Sequence, residues 1–169
     1  MKVSCLHENI TRGLNIVGRA VASRSTLPVL GNVLLSTDNS GIKLSATNLE
    51  MGITCWVGAK VHEPGSTTLP AKTLIDLIST LPKEQIDFEL DEHTQTMRLA
   101  CAEFTNDIKC INSEEFPVLP SIEDNKNVDI NVTNLREMID QVVFAAASDD
   151  SRPVLTGVEV KINNNGISF

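Results

Sequence analysis

No unbroken apolar run in the 169-residue chain is longer than Val142–Ala147, far short of the roughly 20 residues a membrane-spanning helix needs. The opening segment "MKVSCLHENITRG" lacks the apolar stretch and small-residue cleavage site of a signal peptide. A soluble, cytoplasmic protein with no membrane contact is the expectation. Disorder is excluded by the opposite balance: 41 % of residues are apolar and mean hydropathy is near zero, enough for a packed core.

Metal and catalytic signatures are also missing. The four cysteines, Cys5, Cys55, Cys101 and Cys110, form no C-x-x-C pair, and His7, His62 and His93 lie far apart. Structural zinc needs clustered ligands, so no metal and no cofactor are expected. Each cysteine sits in an apolar, strand-like run and reads as a small buried hydrophobe. There is no P-loop, no G-x-G-x-x-G, no H-E-x-x-H and no G-x-S-x-G, hence no constellation for phosphoryl, hydride, metal-assisted or acyl chemistry. The adjacent acids Asp149–Asp150 and Glu114–Glu115 fit solvated turns better than a metal site. The chain reads as a non-enzyme.

What is present is a divided charge. The net charge is −8, and residues 84–127, with 11 acids against Arg98, Lys109 and Lys126, account for all of it. Within the first 37 residues Lys2, Arg12, Arg19 and Arg24 face only Glu8. Arg12 and Arg19 are seven residues apart, so on a helix they share one face, about 180–200° from Ile10. Lys72 opens a second helical pattern. Basic helices behind acidic sheets would turn one surface toward phosphates and the other away.

The chain also repeats itself. Shifted by 125 residues without a gap, positions 3–44 match 128–169 at 13 places, including Pro28/Pro153, Val29/Val154, Leu30/Leu155 and Gly41/Gly166. The matches follow apolar faces and turn residues, where a shared backbone constrains sequence. Within one unit, Lys2–Leu6 reads as a strand, and Ile10, Leu14, Val17 and Val21 stripe a helix over residues 8–22. Strands are expected at 29–36, with PVL beginning the run, at 42–46 and at 52–61. The order then recurs: a strand at 67–69, a helix striped by Leu74, Leu77, Ile78 and Leu81 that Pro82 stops, and strands near 85–90, 96–101 and 104–111. The fold class is α+β, a pseudo-twofold domain of two β-α-β-β-β halves with two helices packed on two antiparallel sheets. Residues 1–111 form a complete domain, 112–127 a linker pinned by Phe116 and Leu119, and 128–169 the start of a second domain. There Asn134 and Glu137 read as a capping pair, with Leu135, Met138, Ile139 and Val142 as the stripe.

Five stretches now carry a resemblance: "SRSTLPVLGNVLL", "ATNLEMGI", "HEPGSTTLPAKTLIDLISTLP", "EFPVLP" and "SRPVLTGVEV". Together, in order and across the whole chain, they resemble the bacterial sliding-clamp family, the beta subunits of DNA polymerase III. The resemblance implies the DNA-clamp fold. It also implies a processivity factor whose homodimeric ring encircles double-stranded DNA without reading its sequence, working with DNA polymerase III and a clamp loader. Family domains are three in number, so the chain would cover the first and about a third of the second, as a fragment. A repeat-built interaction scaffold unrelated to DNA is the alternative.

Residue by residue, the resemblance places Arg12, Arg19, Arg24 and Lys72 toward DNA. Asp149–Asp150 departs from the family's polar or neutral pattern in a loop that faces DNA there. Arg152 and Leu155 match one wall of the pocket that takes partner peptides, and the remaining walls belong to later segments. Leu77, Leu81, Phe104 and Ile108 match the ring interface. With only part of the second domain present, residues 128–169 would self-associate, two copies covering each other's apolar stripe.

Overall fold

The computed structural model describes residues 1–22, 25–39, 41–120, 128–149, 151–163 and 166–169. Contacts divide the chain into two units, Met1–Pro120 and Ser121–Phe169.

The first unit begins with β1 (Lys2–Leu6), which runs straight into α1 (His7–Val17). Ile10, Leu14 and Val17 are fully buried, as their helical spacing requires. The α-helix ends sooner than the stripe predicts, and Gly18–Ala20 tightens into a 3-10 turn. Glycine at 18 lowers helix propensity and lets α2 (Ala71–Thr80) approach, since an added Cβ would lie 3.1 Å from Ile75 Cδ1.

The repeated PVL is not the start of a strand. Pro28–Gly31 forms a 3-10 turn, as does Pro153–Thr156. Proline fixes φ near −65° and gives up an N–H that a first turn does not use. β2 therefore starts only at Asn32 and runs to Asp38. It is followed by β3 (Gly41–Thr47) and β4 (Gly52–Glu63). The repeated glycine also has a backbone cause: Gly41 has φ +129° and its counterpart Gly166 φ +139°. L side chains rarely adopt that conformation.

The second half repeats the order with β5 (Ser66–Pro70), α2, β6 (Gln85–Asp91), β7 (Thr96–Cys101) and β8 (Phe104–Lys109). The expected two sheets are joined as one of eight strands, in the order β5-β2-β3-β4-β1-β6-β7-β8. The length of β4 is the cause. Gly52–Gly58 pairs with β3, and Ala59–Glu63 pairs with β1. Exchanging each strand for its counterpart turns 5-2-3-4 into 1-6-7-8, which is the pseudo-twofold relation. At the far ends Thr68 bridges Ile111 through N–H···O bonds of 3.0 and 3.2 Å.

Both helices pack against the sheet and against each other. On β6 the inward Ile86, Phe88 and Leu90 are buried, and the intervening Asp87, Glu89 and Asp91 are exposed. After β8, Asn112 caps a short 3-10 turn at Ser113–Glu115 through Glu114 N–H at 3.1 Å. Ser66 Oγ donates to Ser113 Oγ at 2.8 Å, Phe116 is buried, and Leu119 lies against Gly52.

In the second unit α3 (Val132–Val142) is capped by Asn131, whose side chain accepts from Thr133 N–H and Asn134 N–H. Asn131 rather than Asn134 is the cap because its extended backbone directly precedes the first helical residue. None of the α3 stripe is fully buried. β9 (Lys161–Asn163) and β10 (Gly166–Ser168) form a hairpin. Among the described residues no helix is long and apolar enough to cross a membrane.

Two predictions follow from this packing. α1 lies close against the sheet at Gly13, where a Cβ would stand 2.5 Å from Val57 Cγ2 and 2.9 Å from Leu44 Cδ1. Alanine there already forces those two side chains to shift, against a helix-propensity gain of up to about 1 kcal/mol, and the larger Gly13→Val adds overpacking of about 1–3 kcal/mol. Gly13→Val should lower the melting temperature by several degrees; an unchanged or higher value in calorimetry would contradict the close approach.

The second concerns Cys5, whose thiol is pushed from 9.0 up to about 12, first by burial and then by the charge of Asp87. A raised value means the fold favours the protonated thiol, a contribution complete below 9.0 and lost as pH climbs toward about 12. At about pH 8 a thiol-directed reagent should leave Cys5 unmodified until denaturant unfolds the chain. Modification of the native protein at the unfolded rate, read by peptide mass spectrometry, would overturn this.

Candidate nucleic-acid interface

The apolar stripe of α1 is spent on the sheet, so its opposite face is left to solvent. Arg12 is exposed on that face, and Arg19 is exposed on the 3-10 turn that continues it. They line one groove together with Thr11, Asn15 and Lys83, with Glu8 and Ile16 completing its walls. Lys83 comes from the turn after α2, where Pro82 has already ended the helix. Sequence reasoning did not select it, because nothing local marks a lysine in a turn as a neighbour of α1. Lys72 is exposed in the first turn of α2 and lines a second groove, between Gly18–Ala22 and the α2 residues Ala71, Ile75 and Asp76. Arg24 lies outside the described residues.

Three cations on the sheet face are held by neighbours. On the open face of the sheet Lys2 reaches Glu89 at 3.5 Å and Arg98 reaches Asp107 at 3.1 Å. Lys109 donates to Thr94 O at 3.1 Å and Thr96 Oγ1 at 2.7 Å. Hydrogen bonds and charge from Asp107 raise the Arg98 guanidinium further above its ordinary value. On the helix face Arg12, Arg19, Lys72 and Lys83 have no ion-pair or hydrogen-bond partner among the described residues. Cations without carboxylate partners keep their full field for an external anion.

His7 and His62, far apart in sequence, are both engaged in hydrogen bonds. The buried His7 donates from Nε2 to Ile78 O at 2.8 Å, tying α1 to the last turn of α2. Ser4 Oγ and His62 Nε2 are 2.9 Å apart. Two side-chain atoms at the α1 groove, His7 Nδ1 and Thr11 Oγ1, are buried without a partner.

The other expected site residues are dispersed. Leu81 and Ile108 are buried in the protein's own core, Leu77 is partly buried, and Phe104 is 56 % exposed at the start of β8. β8 pairs with β7 on one side, and apart from the Ile111 bridge beyond its end its other edge is open among the described residues. Arg152 and Leu155 are exposed at the Pro153–Thr156 turn, joined by the Leu155 N–H to Arg152 O bond of 2.9 Å. Asp149 is held below its ordinary value by the Ser151 hydroxyl and N–H, which makes it a turn-forming carboxylate; Asp150 lies outside the described residues. Among the described residues no group of three His, Cys, Asp or Glu is placed to hold a metal.

Comparison with known proteins agrees with this geometry. Residues 1–120 match the family described as DNA polymerase III beta subunit, N-terminal domain, and residues 129–169 match its central domain. A beta sliding clamp of Synechocystis is 36 % identical over 100 % of this chain and 45 % of its own length. That of Bacillus subtilis is 26 % identical over 98 % of this chain and 46 % of its own. The crystal structure of the Pseudomonas aeruginosa DNA polymerase III subunit beta, 30 % identical, superposes with a TM-score of 0.87 over 97 % of this chain and 44 % of that one. The Caulobacter crescentus clamp, 26 % identical, gives 0.88 over 98 % and 45 %. The chain thus spans less than half the length of the relatives it matches, and it belongs to the DNA polymerase III beta subunit family, the bacterial sliding clamps.

Proposed function

We propose that this chain supplies the DNA-facing helices and outward sheet of the first domain of a sliding clamp. In this reading it is a non-catalytic, cytoplasmic processivity factor whose complete form tethers a replicative polymerase to duplex DNA. The observation that carries the reading is the set of helix-face cations without a partner among the described residues, Arg12, Arg19 and Lys83 along one groove and Lys72 in the next. A clamp must attract phosphates on its inner surface yet let DNA slide, and a few mobile Lys and Arg side chains give sequence-independent attraction without base contacts. The net charge of −8 is no objection, because Asp87, Glu89, Asp91 and Asp107 lie across the core on the sheet face, and salt screens exposed charges beyond about 10 Å.

Arg12, Arg19, Arg24 and Lys72 are the DNA-facing set, to which the groove adds Lys83. Closure of two copies into a ring would use the open edge of β8, with Phe104 and Leu77 as the apolar side chains still available there. Leu81 and Ile108 support that edge from within. Arg152 and Leu155 would form one wall of a partner-peptide pocket, for polymerase and clamp loader in the complete protein. A scaffold unrelated to DNA is not favoured, since it gives no reason for an uncompensated cation face.

The test is duplex binding by the 169-residue chain, followed by NMR titration at several salt concentrations. Arg19→Gln with Lys72→Gln should weaken binding for every duplex sequence alike and flatten the salt slope by about 0.9 per lost phosphate contact. Lys109→Gln, on the sheet face, should leave both unchanged. Equal effects from the two faces would contradict the assignment.

A further inference from the structure

We propose that residues 128–169 carry a docking face for a second copy of themselves, with two α3 helices packed antiparallel about a true twofold, as α1 and α2 are about the internal one of the first unit. The 125-residue shift carries α1 (His7–Val17) onto α3 (Val132–Val142). It also carries the Gly18–Ala20 and Pro28–Gly31 turns onto those at Val143–Ala145 and Pro153–Thr156. Element by element, the described part of the second unit is the first half of the first unit. Burial does not carry over. Ile10, Leu14 and Leu35 are withdrawn from water, whereas of their counterparts Leu135 is half-buried, Ile139 is 40 % exposed and Val160 51 %.

What covers that half in the first unit identifies the occupant. The cover is the other half, and it is built alike: β5 runs straight into α2 at Ala71 just as β1 runs into α1 at His7. The two helices lie antiparallel. His7, at the start of α1, is bonded to Ile78 in the last turn of α2, and Gly18, beyond the end of α1, lies against Ile75. A half covered by a turned relative of itself is complementary to its own kind, which is the condition for an isologous contact. On α3 and the turn after it, the residues standing where His7, Leu14 and Gly18 stand in the first unit are Val132, Ile139 and Val143. All three are apolar and exposed, and removing such surface from water is the main drive to association. Arg136 and Asp140, the charges flanking this row, pair with each other at 3.8 Å, so neither is left to repel its twin.

The experiment is light scattering of the 169-residue chain at several concentrations, joined to isotope-filtered NMR on a mixture of labelled and unlabelled copies. The mass should rise with concentration to that of two chains, with methyl contacts between copies at Leu135 and Ile139. Ile139→Asp should return the chain to a monomer. Val132→Glu should weaken the pairing without harming the helix, because Val132 is 79 % exposed and an acid in a first turn suits the helix dipole. Phe104→Asp, on the β8 edge assigned above to ring closure, should leave the pairing intact, which separates the two contacts. A monomer at every concentration, aggregates in place of a dimer, a dimer untouched by Val132→Glu, or one that Phe104→Asp abolishes overturns the proposal. The DNA-facing reading stands in each of those cases, since it uses neither α3 nor the residues after it.

Discussion

The fold turns on the sharing of β4. Its twelve residues bond to β3 over their first half and to β1 over their second, so two four-stranded halves become one sheet. A continuous sheet has two faces, and α1 and α2 pack side by side against it with their apolar stripes in the core. Each buried stripe residue contributes roughly 1.5–3 kcal/mol, and side chains at Ile10, Leu14, Val17, Leu74 and Ile78 are all but fully withdrawn from water. The other face is then free to carry Asp87, Glu89, Asp91 and Asp107 at alternate positions.

Function follows from that partition more than from any single residue. The apolar core lies between the helix-face cations and the sheet-face acids, so those two sets cannot pair, and only Glu8 and Asp76 line the grooves beside Arg12, Arg19, Lys72 and Lys83. On the sheet face Lys2 and Arg98 find carboxylates, and Lys109 a backbone carbonyl and a hydroxyl, at 2.7–3.5 Å, whereas among the described residues Arg12, Arg19, Lys72 and Lys83 have no such partner. A chain that is acidic as a whole can therefore present a locally basic surface. The close contact at Gly13 keeps α1 flat against β3 and β4, and the His7–Ile78 bond fixes its start against the end of α2. Both hold Arg12, Arg19 and Lys83 around one groove.

Much of this was legible in the chain alone. The helical spacing of Ile10, Leu14 and Val17 and the strict alternation of Ile86, Phe88 and Leu90 report burial directly, because periods of 3.6 and 2 are set by backbone geometry. The 125-residue repeat located Gly41 and Gly166, and their positive φ explains the match. PVL misled because Val and Leu suit strands while Pro28 and Pro153, one residue earlier, impose a turn. The single sheet was hidden, since a strand long enough to serve two partners looks locally like any other. Lys83, His7 and Thr11 were hidden for the same kind of reason: their meeting depends on how α2 returns beside α1. Arg12 and Arg19 were found by spacing although α1 ends between them, because the 3-10 turn keeps Arg19 on the same side.

The central claim is that DNA meets the helix face and not the sheet face. Its most direct test is a short duplex carrying a nitroxide label, added to the isotopically labelled 169-residue chain while amide signals are followed for paramagnetic broadening. The account predicts broadening along α1, the Gly18–Ala20 turn, the start of α2 and Lys83, with Asp87, Arg98 and Asp107 spared. Broadening centred on β6, β7 and β8 would contradict it.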